Sequence, residues 1–172
     1  MATPLSNFSK EFITQSIFQL QENTPRIEKC LAQISEEEMQ KKPNSSTNSI
    51  ANLIMHLCGN ITQYIHSSLA NQPDIRNRDL EFSSVNKLSK KELLTKLENT
   101  VANAVSVLEN ISESELLRKR TVQGFEYSGI GIIIHVVEHF SYHTGQIATQ
   151  TKLLANKDLG FYSDMDLNVK NE

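Results

Sequence analysis

Cysteine is scarce in this 172-residue sequence: only Cys30 and Cys58 are present, both inside helical patterns. That excludes a disulfide framework and any cysteine-built zinc site, and both read as small buried thiols of a reducing compartment. No CxxC partner stands beside either one to make it reactive. An excess of positive charge is also lacking. The formal net charge is -3, and the longest basic run is Arg118-Lys119-Arg120, so no electrostatic footprint for nucleic acid is present. No apolar stretch approaches the roughly 18 residues of a membrane span, and the start MATPLSNFSKEF has neither the basic residues nor the apolar stretch of a secretory signal. These absences predict a cytoplasmic protein with neither nucleic acid nor membrane as partner.

What is present is helical periodicity. Apolar residues make up 38% of the chain and fall into blocks, which argues for a folded chain, and the length suits one domain over residues 1–172. Phe8, Phe12, Phe18, Ile27, Leu31 and Ile34 can share a helix face over about 8–34, which Pro25 would either kink or split. Ser35-Glu36-Glu37-Glu38 has the form of a capping box for a short helix ended by Pro43. A long helix is predicted over about 49–70, where Ile50, Leu53, Ile54, Leu57, Ile61, Tyr64 and Ile65 form a continuous stripe.

Periodicity is lost from Asn71 to Lys87, a loop expected to cross the bundle. Ser89-Lys90-Lys91-Glu92 then opens a third long helix through Leu108, and Ser112 caps a short turn. Thr121 to Tyr127 reads as an extended loop around Gly124, and Ser128 caps a fourth helix reaching about Ala155, ended by Lys157 and Gly160. Ile132, Val136, Phe140, Ile147 and Leu154 form its inward stripe. Four long helices without a credible sheet predict an all-α four-helix bundle with a long crossover connection and short extra helical turns.

The chemistry-bearing residues are histidines. His139 and His143, four apart, lie one above the other at the edge of the apolar stripe of the fourth helix, where both can present nitrogens to one ion. His56 lies on the flank of the second long helix beside Asn60 and Gln63, positioned to line a cleft. Three neutral imidazoles with an open coordination position suit zinc or a neighbouring first-row ion such as nickel. His66 has no supporting partner and reads as surface. His135-Val136-Val137-Glu138-His139 matches the HxxEH pattern of inverzincins, where the Glu is a general base. A small bundle lacks the inverzincin context, so His135 is assigned to the outer shell of the site or its wall, with Asn60 and Gln146.

Three segments carry a resemblance: Asn52 to Asn60, Arg76 to Phe82, and His139-Phe140-Ser141-Tyr142-His143-Thr144-Gly145-Gln146. Together they resemble the DinB-like superfamily, closest to an uncharacterised bacterial branch, over nearly the whole chain. The resemblance implies a bundle with a long crossover and a divalent metal ion held by His56, His139 and His143. It further implies a metal-dependent enzyme acting on a small molecule, since relatives include bacillithiol S-transferases and a mycothiol-dependent maleylpyruvate isomerase, in which the ion activates a low-molecular-weight thiol cosubstrate. Hydrolysis through metal-bound water and a non-catalytic bundle with a structural ion are the alternatives. Thr144 stands where many relatives have Arg, which removes that residue as an anion binder. Despite its DNA-damage name the family does not bind DNA, in line with the acidic charge, and its members are often homodimers. Within the crossover, Arg76 and Arg78 could hold a substrate carboxylate and Asp79 or Glu81 could supply a base if the loop folds over the cleft.

Overall fold

A computed structural model of the chain describes residues 5–82 and 88–171. Its helices are α1 (Asn7–Ala32), α2 (Glu36–Gln40), α3 (Ile50–Ile61, continuing as a π-helical segment Thr62–Leu69), α4 (Arg78–Phe82), α5 (Lys90–Glu109), α6 (Glu113–Leu117) and α7 (Gly129–Ala155). The fold is an all-α four-helix bundle. Around its core α1 packs on α5 and α7, and α3 packs on the same two helices, so α1 and α3 are diagonal to each other. The expected caps are formed: Ser35 and Ser89 make complete capping boxes, and Ser112 and Ser128 accept from the N3 amides of α6 and α7.

Pro25 neither splits α1 nor ends it. Gln21, whose carbonyl loses its N–H partner to the proline, is exposed, as is Pro25 itself, so water can satisfy the freed group. The expected face of α1 is corrected. Phe8 and Phe18 are 76% and 55% exposed. The buried line is instead Ser9, Ile13, Ser16, Leu20, Asn23, Ile27 and Cys30, alternating steps of four and three as in a coiled-coil seam. The donors of two polar members are satisfied, since Ser16 Oγ donates to the Phe12 carbonyl and Asn23 Nδ2 to that of Gln19, while Asn23 Oδ1 is buried without a partner among the described residues.

Other expectations are also corrected. The stretch expected as an extended loop is an antiparallel hairpin, β1 (Arg120–Val122) with β2 (Phe125–Tyr127). Its turn residues Gln123 and Gly124 have φ of 51° and 82°, the pair of positive values that matches the twist of a two-residue hairpin. The crossover is not loop throughout, since it contains α4; its portion at residues 83–87 lies outside the described residues. Leu154 is 40% exposed instead of facing inward, and α7 ends at Asn156 in the left-handed conformation. His66 is half-buried, facing α5, where burial lowers its pKa. Cys30 and Cys58 are buried, and burial pushes the Cys58 thiol up to about 11, far from a reactive thiolate. Among the described residues no helix is long and apolar enough to cross a membrane.

Candidate metal centre

α3 and α7 run antiparallel side by side, which sets two layers of polar residues between them. In one layer His56 Nε2 lies 2.9 Å from His139 Nε2. One helical turn away, Asn60 Nδ2 lies 3.3 Å from His135 Nε2. His143 joins the first layer, its ring centroid 5.0 Å from that of His56 and 4.4 Å from that of His139. One nitrogen from each of His56, His139 and His143 can be chosen so that all three lie within 4.8 Å of one another. Two nitrogens each about 2.0–2.1 Å from one ion lie roughly 2.9–3.4 Å apart at angles between square and tetrahedral. The His56–His139 separation already lies in that range, and with His143 the group could hold a single ion.

The protonation pattern agrees with that role. His56 Nδ1 is 2.8 Å from Glu81 Oε2 and 3.2 Å from Arg76 Nη2. A guanidinium only donates, and a bare Nδ1 lone pair facing an ionised carboxylate would be repelled, so Nδ1–H donates to Glu81 and Nε2 keeps its lone pair for the cleft. His143 Nδ1, 2.7 Å from Gln146 Oε1, donates in the same way and leaves Nε2 free. Burial, with the neighbouring His143, His56 and His135 rings and Arg76, depresses His139 to about 3. Burial also lowers His143. Both shifts hold His139 and His143 toward the neutral form that a ligand needs.

Glu81 is what fixes His56. Burial opposes its ionisation, yet hydrogen bonds from Arg76 and His56 hold its carboxyl below the ordinary carboxylate range. Arg76 grips it with two bonds, Nε to Oε1 at 2.6 Å and Nη2 to Oε2 at 2.8 Å, and its Nη1 donates to Gln63. A hydrogen bond from the Asn52 side-chain Nδ2 to the Glu81 backbone carbonyl pins α4 to α3. This ion pair is buried, the side chains being 3% and 6% exposed. Room for the carboxylate exists because residue 59 has no side chain: a Cβ on Gly59 would lie 1.9 Å from Glu81 Oε1.

The four crossover candidates thus separate. Arg76 does hold a carboxylate, but it is that of Glu81, and Glu81 is committed to Arg76 and His56. Arg78 and Asp79 are exposed, with Arg78 over the Phe82 ring at 4.9 Å. Phe82 in turn packs against His56, ring centroids 5.0 Å apart. His135 stacks on Tyr64 at 4.3 Å, and the trio that can share an ion does not include it. The HxxEH histidines, His135 and His139, are therefore not both members of the group that could hold an ion among the described residues. Thr144 is buried and donates to the Phe140 carbonyl, so nothing at that position faces a ligand. Gly59 and the Glu81–His56 bond had no signal in the sequence, because both depend on where the crossover lands.

Comparison with known proteins completes the description. Residues 7–163 match the family described as "Protein of unknown function (DUF1572)". The chain belongs to this family. No curated protein matches the DUF1572 chain. Among solved structures it is similar to a conserved protein from Enterococcus faecalis, with 20% identity, a TM-score of 0.72 and coverage of 84% of this chain and 97% of that one. It is also similar to the DinB-like protein YjoA from Bacillus subtilis, with 18% identity, a TM-score of 0.65 and coverage of 86% and 96%. At these identities the likeness establishes the fold, which is DinB-like.

The depressed histidines give a pH dependence. Unfolded His139 takes up a proton near 6.5, while in the folded, metal-free chain it resists until about 3. Between those values the unfolded state binds more protons, so stability falls as the pH is lowered through that window, and the lowered Glu81 acts in the same direction from its ordinary value of 4.5 downward, within the window. The metal-free protein is expected to melt several degrees lower at pH 5 than at pH 7 in thermal unfolding followed by circular dichroism. A His139→Phe variant is expected to show a smaller difference.

Proposed function

We propose that this DUF1572 protein is a metal-dependent transferase that joins a low-molecular-weight thiol to a small electrophile at a divalent ion, zinc or nickel, held by His56, His139 and His143. The observation that carries the reading is that three imidazoles from two helices offer nitrogens within 4.8 Å of one another beside an open hollow lined by His135 and His139. Such an ion, when bound, lowers the pKa of a coordinated thiol or water and stabilises developing negative charge.

The chain's own residues do the positioning. Glu81 and Gln146 fix the tautomers of His56 and His143 so that lone pairs face the cleft. Phe82 and the docked crossover cover the His56 side and keep water from its ring. The carboxylate bonded to His56, Glu81, is committed to an ion pair and is not free to deprotonate a water. This favours a nucleophile that ionises readily, a thiol, over metal-assisted hydrolysis, for which Glu138 on the wall of the hollow is the carboxylate at hand. In the reaction the thiol sulfur forms a bond to the electrophilic carbon, the leaving group departs with its electron pair, and the thiol proton passes to solvent.

The test is turnover of 1-chloro-2,4-dinitrobenzene by zinc- and nickel-loaded protein with a panel of thiols. Thiol-dependent release of chloride above the metal-free control, lost in His143→Ala, is expected. Turnover of an activated ester without thiol would favour hydrolysis instead, and silence with every thiol and ester at full metal occupancy would leave a structural ion.

A further inference from the structure

Two hollows open along α7. One, of about 650 Å³, is lined by His135, Glu138, His139 and Ser141 together with Tyr142 and Gly145. The other, of about 580 Å³, lies further along the helix against the segment preceding α3, and it shares Tyr142 and Gly145 with the first. Gly145 is the saddle between them: a Cβ placed there would meet nothing within 4 Å. The two hollows therefore adjoin and together make a groove beside the histidine cluster.

Its chemistry is uneven. Glu138 is the only charged side chain among the described residues that line it, and no lysine or arginine does. The Arg76 guanidinium near the cluster is spent on Glu81 and Gln63. The far hollow offers hydroxyls and amides, among them Thr47, Asn48, Thr149 and Gln150. Gln150 Nε2 donates to the Asn48 carbonyl, while its Oε1 is buried with no donor in reach. A carboxylate-rich ligand would find no cation to offset its desolvation and would be repelled by Glu138.

From this lining we infer that the groove takes an uncharged, hydroxyl- or amide-rich small molecule, with its metal-seeking end at the histidine cluster and its body across Gly145 toward Gln150, and that it turns polycarboxylates away. The inference rests on the metal reading of the three histidines and names the class of thiol that reading would use.

The experiment measures Kd by calorimetry on zinc-loaded protein at low salt for 2-mercaptoethanol, 1-thio-β-D-glucose and mercaptosuccinate. Thioglucose is expected to bind at least tenfold tighter than mercaptoethanol, and mercaptosuccinate weaker than thioglucose by a similar factor. Gly145→Leu, whose side chain would stand in the saddle, is expected to abolish the advantage of thioglucose over mercaptoethanol. Glu138→Lys is expected to improve mercaptosuccinate. The same comparison with gluconohydroxamate and succinate monohydroxamate uses a metal-binding head that owes nothing to thiols. If no thiol binds but the hydroxamates keep this order, the transferase reading falls and the groove assignment stands. Mercaptosuccinate or the succinate hydroxamate binding more tightly than its polyol counterpart, or indifference of the polyol ligands to Gly145→Leu, would overturn the assignment.

Discussion

Gly59→Ala is expected to destabilise the native chain and to stabilise a chain that already carries Glu81→Ala. In an ordinary helix interior the exchange of glycine for alanine gains about 1 kcal/mol. At this position the new methyl would lie 1.9 Å from Glu81 Oε1 and 2.7 Å from its Cδ. The carboxylate can yield only by leaving Arg76 and His56, and breaking a buried charge pair costs roughly 3–5 kcal/mol. The repulsion outweighs the helix gain, for a net loss of about 2–4 kcal/mol read by urea unfolding. Once Glu81→Ala has emptied the notch, only the helix gain remains and the sign reverses. The same displacement should loosen metal binding, because outer-shell partners of ligating histidines are worth about 10–100-fold in affinity. Glu81→Gln is expected to weaken zinc within that range. An Arg76→Met/Glu81→Leu pair is expected to be more stable than either single change, since it leaves no buried charge alone.

Removing a ligand should have the largest effect of all. Structural zinc bound by four residues contributes about 10–16 kcal/mol, or roughly 3 kcal/mol for each. His56→Ala and His143→Ala are thus each expected to weaken zinc by at least about a hundredfold, as read by competition with a chromogenic chelator. His135→Ala is the control. It sits in the neighbouring layer with Asn60, outside the trio, and is expected to change affinity by less than tenfold. A fall in His135→Ala with none in His143→Ala would restore the HxxEH reading.

The parts of the molecule legible from sequence are those set by local rules. The serine boxes at Ser35 and Ser89 mark helix starts with atoms only three residues apart, and the α3 and α7 stripes are apolar enough to show which side faces the core. Because those two helices carry the histidines, the approach of His56 to His139 and His143 could be anticipated. The seam of α1 was hidden because Ser9, Ser16, Asn23 and Cys30 occupy core positions while two phenylalanines face outward. The hairpin was hidden because Gln123, not the usual Asn or Asp, takes the first left-handed position. The π-helical turn at Thr62–Leu69 left no mark, as Ile61, Ile65 and Leu69 fit either helix period. Glu81 and Gly59 are 22 residues apart by their numbering, and only the docking of α4 brings them together.

The account stands on three imidazoles sharing one ion. X-ray absorption at the zinc edge of the loaded protein reads this directly. The predicted spectrum shows three imidazole shells with nitrogen at about 2.0–2.1 Å and one lighter donor, falling to two imidazoles in His56→Ala. A first shell of carboxylate oxygens, or an imidazole count unchanged by His56→Ala, would contradict it.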